Sequence, residues 1–179
     1  LGGAKAIQLR NKGDTANELL KTGKQLRDLT RAHEALLFVN DRVDIALSIE
    51  ADGVHLGPRD PPLPEVRRIV PDEFIIGFSA DDPDLAHSAV AEGANYIGCG
   101  TIYPTSTKPD AGDVIGMSGL RSVIDAVDVP VIAIGGITNH RIPEVLAVGA
   151  TGVAVASAIM SAPDAMQATY SMFTALETS

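Results

Sequence analysis

The 179-residue chain has no tryptophan, and aromatic residues make up only 4% of it. Its core must therefore be built from Val, Ile, Leu and Ala, a need that branched aliphatics on interior parallel strands meet. A single cysteine, Cys99, excludes an internal disulfide and fits a reducing cytoplasm. Cations are scarce: 14 Lys and Arg stand against 23 Asp and Glu, a formal net charge of −9. That balance argues against a nucleic-acid or anionic-membrane partner, so any phosphate ligand must be held by a few placed cations. Long apolar runs are missing too. Each ends in Gly or a charge after about one strand, which leaves no pattern for a signal peptide or a spanning helix. Nor is there a nucleophile elbow, a Cys–His arrangement, a Walker lysine, a dinucleotide fingerprint or a zinc spacing. Chemistry by positioning, a metal and cations around a phosphate leaving group is favoured over covalent catalysis.

What is present is regular. Hydrophobic residues reach 45%, and the length suits one domain over residues 1–179. The spacing predicts strands over 4–10, 35–40, 54–57, 74–79, 96–100, 130–136 and 152–157. Helices are expected between them, over 15–34, 43–50, 63–70, 83–92, 118–127, 141–148 and 165–176. Strict alternation implies parallel strands with helical crossovers, satisfied by an open doubly wound sheet or by a (β/α)₈ barrel. Polar residues follow nearly every strand, at Arg10, Asp41, Asp60, Ser79, Thr101, Gly136 and Ser157. This favours the α/β TIM barrel, which gathers all its strand ends around one mouth. Seven strands are counted where a barrel needs eight. The first begins almost at residue 1, so a leading strand and helix are expected to precede it in the full protein.

The strand ends carry the candidate chemistry. Gln8, Arg10 and Lys12 can share one side of the first strand and its loop, or belong to an edge strand with a solvated face. Asp41 and Asp60 follow successive strands, where they either cap the next helices or share one hard cation. Oxygen-only ligation by few protein groups favours Mg²⁺. Gly135-Gly136 and the small-residue turn Ala156-Ser157 either expose N–H groups to an anion or merely permit tight turns. The loop from Thr101 to Met117 offers Thr105, Ser106, Thr107 and Lys108 to a phosphate, although its composition also describes a solvated loop. The histidines His33, His55, His87 and His140 are scattered; His55 reads as a hydrogen-bonded core residue rather than a ligand.

Together, Gln8-Leu9-Arg10-Asn11-Lys12, Asn40-Asp41-Arg42, Asp52-Gly53-Val54-His55-Leu56-Gly57, Gly77-Phe78-Ser79, Pro104-Thr105-Ser106-Thr107-Lys108 and Gly135-Gly136-Ile137 resemble the thiamine phosphate synthase family over nearly the whole chain. The resemblance implies a (β/α)₈ barrel that joins hydroxymethylpyrimidine diphosphate to hydroxyethylthiazole phosphate with release of pyrophosphate. It further implies that Gln8, Arg10, Lys12, Asn40, Ser79 and Lys108 hold the pyrimidine diphosphate, with Arg10, Lys12, Lys108 and Ser79 as the catalytic set. Asp41 and Asp60 would bind Mg²⁺, and Thr105, Ser106, Thr107, Gly136, Ala156 and Ser157 the thiazole phosphate. Partners are then small phosphorylated molecules, with a homo-oligomer compatible but not indicated. Asn11 stands where the family commonly has an acid, and Thr101 where it usually has proline. The related thiazole tautomerases carry His at the Thr101 position and usually lose the Asp41 carboxylate, so the synthase is favoured. A tautomerase-like isomerase and a non-catalytic binder of thiazole or thiamine phosphate are the alternatives.

Overall fold

The structure, a computed structural model, describes residues 2–105 and 113–178. Its seven strands are β1 (Ala6–Leu9), β2 (Leu36–Asn40), β3 (Gly53–Leu56), β4 (Ile75–Ser79), β5 (Tyr96–Cys99), β6 (Val131–Ile134) and β7 (Gly152–Ala154). They lie side by side in chain order, and every pairing is parallel. Helices α1 (Ala16–Ala32), α2 (Val43–Ser48), α3 (Leu63–Arg67), α4 (Pro83–Ala91), α5 (Gly116–Asp125) and α6 (Ile142–Ala147) form the crossovers, and α7 (Ser157–Met160) and α8 (Ala165–Glu177) follow β7. The two ends of this order meet. A Cβ on Gly2 would lie 2.6 Å from Cβ of Thr169 on α8, and the Lys5 ammonium sits 5.3 Å over the Phe173 ring. The sheet is thus curled into a TIM-barrel-like α/β fold, and among the described residues no pairing joins β7 to β1.

Side-chain parity explains which residues face the helices and which face the interior. Leu37, Val39, Val54, Leu56, Ile76, Phe78, Ile97, Cys99, Val131 and Ala133 are all buried and fall on one parity across β2 to β6. They form the layer under the helices, built from the branched aliphatics that the composition demands. The opposite parity runs Asn40, His55, Gly77 and Tyr96 in direct register across four strands, with Ser79 and Gly98 one step further along. This stretch of the concave face is therefore polar and glycine-rich, with Phe38 packed against Tyr96 beside it. Cys99 belongs to the apolar layer, and burial pushes its thiol up to about 12, which removes it as a nucleophile at neutral pH.

Helix starts follow local chemistry. Thr15 accepts from the N–H of Glu18 while Glu18 Oε2 accepts from the N–H of Thr15, a reciprocal capping box that sets the start of α1. Asp82 caps α4 through the N–H groups of Asp84 and Leu85. At the end of the sheet away from the candidate site, Arg27 of α1 donates to Asp52 Oδ2 at 2.6 Å, and the same oxygen accepts from the N–H of Leu37. Replacing Asp52 with Ala would strand a buried guanidinium and a buried N–H together. Because Asp52 keeps 29% of its side chain exposed, the low end of the range for a broken buried pair applies. The expected loss is about 2–3 kcal/mol in urea unfolding; a loss below about 0.5 kcal/mol, the level of an ordinary surface change, would contradict this role. Among the described residues no helix is long and apolar enough to cross a membrane.

Candidate active site

The first half of the site is built where β1, β2 and β3 end. Asp41 continues the β2–β3 ladder by one rung, its N–H donating to the carbonyl of His55 at 2.9 Å. Its backbone is left-handed, with φ of 52°, and this turns the chain sharply into α2. Asn40 Nδ2 donates to Asp41 Oδ2 at 2.8 Å and orients the carboxylate. Asp41 does not cap α2, whose N-cap is Arg42 with no side-chain bond. Asp60 does not cap α3 either; its Oδ2 accepts from the N–H of Gly57 at 2.7 Å and closes the turn after β3. The helix-cap reading of both acids is thereby corrected, because each carboxylate is turned back toward a strand end.

These groups act on one another. Burial, and then the negative charge of Asp60, hold the Asp41 carboxyl above its ordinary value, while Lys12, Arg10 and Arg42 pull it back. Asp41 thus feels one further acid and three cations, of which Arg42 is also bound to Asp44. Lys12, Asn40, Asp41 and Arg42 line a cleft of about 230 Å³. Gln8 and Arg10 are exposed on and just after β1. The donor set offers a cation oxygen alone. Among the described residues no group of three or more His, Cys, Asp or Glu converges.

Ser79 ends β4 one step above the register row. Its Oγ lies 2.8 Å from His55 Nε2, and His55 Nδ1 lies 2.8 Å from the hydroxyl of Tyr96. His55 is hydrogen-bonded in the interior, in agreement with its sequence reading, and its partner proves to be a candidate site residue. Tyr96 was missed altogether. The signal that could have found it is a register row in which a large residue on one strand faces Gly77 on the next.

The second half lies after β5, β6 and β7. Gly135 and Gly136 both have positive φ, 103° and 61°, and a Cβ on Gly136 would come within 2.7 Å of the Pro104 carbonyl. Glycine is needed there for backbone shape and for close approach together, which favours a built loop over a merely permissive turn. Thr105, Gly136, Arg141 and Ser157 line a cleft of about 370 Å³. Ala156 and Ser157 open α7, a single turn of four residues. It can present N–H groups, but the macrodipole expected of a longer helix is small. Arg141, which the sequence did not single out, stacks 4.0 Å over the Tyr103 ring and donates to the Gly136 carbonyl at 2.6 Å. The hydroxyl of Tyr103 bonds Glu144, and burial together with that carboxylate pushes it up to about 12. Ser106, Thr107 and Lys108 lie outside the described residues.

A parallel, TIM-barrel-like α/β protein with paired acids and cations at one set of strand ends, and a glycine-built loop at another, belongs to the class that handles phosphorylated small molecules. The profile of the thiamine monophosphate synthase family matches residues 1–159. The chain belongs to that family of transferases. It is 49% identical over 168 residues to thiamine-phosphate synthase of Pyrococcus furiosus, covering 94% of this chain and 80% of that protein. The Moorella thermoacetica thiamine-phosphate synthase is 48% identical over 163 residues, covering 91% and 78%. Among solved structures, thiamine phosphate pyrophosphorylase from Pyrococcus furiosus superposes with a TM-score of 0.92 at 45% identity, covering 99% of this chain and 85% of that one. A 3-hexulose-6-phosphate synthase shares the fold alone, with a TM-score of 0.70 at 19% identity.

Proposed function

We propose that this chain catalyses the reaction named by its family. It would join 4-amino-2-methyl-5-hydroxymethylpyrimidine diphosphate to 4-methyl-5-hydroxyethylthiazole phosphate, releasing pyrophosphate in the cytoplasm. The observation that carries this reading is the cluster of Lys12, Asn40, Asp41 and Arg42 lining one cleft at the strand ends, with Asp41 under the charges of Asp60, Lys12, Arg10 and Arg42. Such a cluster fits a diphosphate that must accept negative charge as it leaves.

Gln8, Arg10, Lys12, Asn40, Ser79 and Lys108 bind the pyrimidine diphosphate in this reading. Asp41 and Asp60 are the residues that would hold Mg²⁺. Their fit rests on two carboxylates held at neighbouring strand ends by Asn40 and by the N–H of Gly57, with burial first and the charge of Asp60 second raising Asp41, a strain that a hard cation would relieve. When bound, the ion would neutralise charge on the leaving diphosphate. The C–O bond breaks with its electron pair departing on pyrophosphate, and the pyrimidine methylene becomes a carbocation. Thr105, Ser106, Thr107, Gly136, Ala156 and Ser157 hold the thiazole phosphate so that the ring nitrogen donates its lone pair to form the new C–N bond. No strong base or nucleophile is required, which agrees with a buried, inert Cys99.

The test is product formation. Incubation with both substrates and Mg²⁺ is expected to yield thiamine phosphate and pyrophosphate in equal amounts, resolved by chromatography. Isomerisation of a thiazole carboxylate phosphate supplied alone would replace this reading with the tautomerase. Ligand binding in calorimetry without turnover would replace it with a non-catalytic binder.

A further inference from the structure

The concave face holds a hydrogen-bonded chain whose inner members, Tyr96 and His55, the family reading leaves unused. Tyr96 Oη, His55 Nδ1, His55 Nε2 and Ser79 Oγ follow one another at 2.8 Å per link, from the interior to the strand-end mouth. Glycines make room for it. A Cβ on Gly77 would lie 2.0 Å from Tyr96 Cζ, and one on Gly98 would lie 2.8 Å from His55 Cε1. Phe38 packs edge-on against Tyr96 with ring centroids 5.6 Å apart and closes its other side. Both rings are therefore held in place from several directions.

Proton placement follows from the ends of the chain. Among the described residues the one hydrogen-bond partner of Tyr96 Oη is His55 Nδ1. A hydroxyl in so confined a space loses free energy if its hydrogen is unbonded, so Tyr96 donates to Nδ1. Nδ1 must then be the acceptor, which puts the ring hydrogen on Nε2. Nε2–H donates to Ser79 Oγ and occupies a lone pair of that oxygen. The hydroxyl hydrogen of Ser79 is left to point elsewhere, and an anionic ligand at the mouth is the acceptor it suits. The opposite tautomer would turn the Ser79 hydrogen inward onto Nε2 and present only lone pairs to a phosphate oxygen.

We propose that Tyr96 and His55 are positioning residues that fix the imidazole as its Nε2–H tautomer and so aim the Ser79 hydroxyl hydrogen at the diphosphate. This deepens the reading of Ser79 as a diphosphate-binding residue and rests on it. Long-range proton–nitrogen correlation spectra of the full chain labelled with [¹⁵N]histidine report the tautomer directly, with His55 assigned by its loss in His55→Gln. In the wild-type protein His55 is expected as the Nε2–H form; in Tyr96→Phe that preference is lost. Calorimetry with inorganic pyrophosphate and Mg²⁺ is expected to show affinity weakened by roughly tenfold in Tyr96→Phe, the scale of one misdirected hydrogen bond to a charged group. His55→Gln, which keeps a donor for Ser79, should retain more of that affinity than His55→Leu does, with melting temperatures identifying any variant that has lost its fold. An Nδ1–H tautomer in the wild-type protein would overturn the proposal, as would a Tyr96→Phe protein with unchanged tautomer and pyrophosphate affinity. If those results hold while no thiamine phosphate forms, the synthase reading falls and the hydrogen-bonded chain stands.

Discussion

Asp41→Asn is expected to abolish catalysis and, in metal-free protein, to raise the melting temperature. The catalytic part follows from removing one of the two carboxylates that, in the proposed reaction, stand where charge develops on the leaving diphosphate. A fall of at least about 100-fold in thiamine phosphate formation is expected, on the order of 3 kcal/mol of transition-state stabilisation. The stability part follows from linkage. The folded-state carboxyl of Asp41 is raised above its unfolded value, so the folded protein binds the extra proton and stability falls as pH climbs from the ordinary carboxylate value through the raised one. At neutral pH the ionised group is therefore a net strain, from burial first and from Asp60 second. Asparagine removes the charge and keeps an acceptor for Asn40 Nδ2, and it tolerates the left-handed backbone at this position. Paired assays and melts decide the matter; a rate within about threefold of wild type, under 1 kcal/mol of barrier, would sink the catalytic role, and an unchanged or lower melting temperature would sink the strain argument.

Gly100→Ala is expected to destabilise the fold by about 3 kcal/mol or more, because its Cβ has nowhere to go. That atom would lie 1.9 Å from the carbonyl oxygen of Ile134. The oxygen cannot easily retreat, since it accepts the N–H of Ile102 at 3.0 Å and so ties the chain leaving β5 to the end of β6. For a chain of this length the loss corresponds to a fall of roughly 6–12 °C in melting temperature. Gly135 and Gly136 follow Ile134 directly, so a variant that still folds should bind thiazole phosphate more weakly. Scanning calorimetry of the variant, with a fall smaller than about 2 °C, would show that the crowding relaxes at little cost.

Much of this architecture was legible because β/α alternation and apolar parity are local properties. The strands appear where Val, Ile and Leu cluster, and the first and fourth helices begin near Thr15 and at Pro83 as expected, although the cap at Asp82 had no part in that expectation. Boundaries drifted by a few residues, as in α3, which ends at Arg67 rather than near Val70. That Arg10, Lys12, Asp41 and Asp60 stand just after strand ends at one edge of the sheet was legible because strand ends are marked in the sequence and parallel strands bring like ends together. The destinations of the two carboxylates were not, since a cap and a turn-closing bond use the same residue types at nearly the same spacing. Tyr96 and Arg141 were hidden for a different reason. Their partners sit on other strands or across a loop, and only inter-strand register shows that Tyr96 fills the space left by Gly77, or that Arg141 reaches the Gly136 carbonyl.

The chain order of the sheet also bears on how the molecule assembles. Among the described residues each strand pairs with strands adjacent in the chain, so every rung closes a loop one βα unit long. Closure entropy rises slowly with loop length, so each parallel rung carries a similar closure cost, while the contacts of Gly2 and Lys5 with α8 span nearly the whole chain. The acid-and-cation half of the site is carried by β1 to β3 and the glycine-loop half by β5 to β7, so each half can form with its own neighbours. Transient opening at one half need not unmake the other, so the turn after β3 and the loop after β6 can differ in local stability.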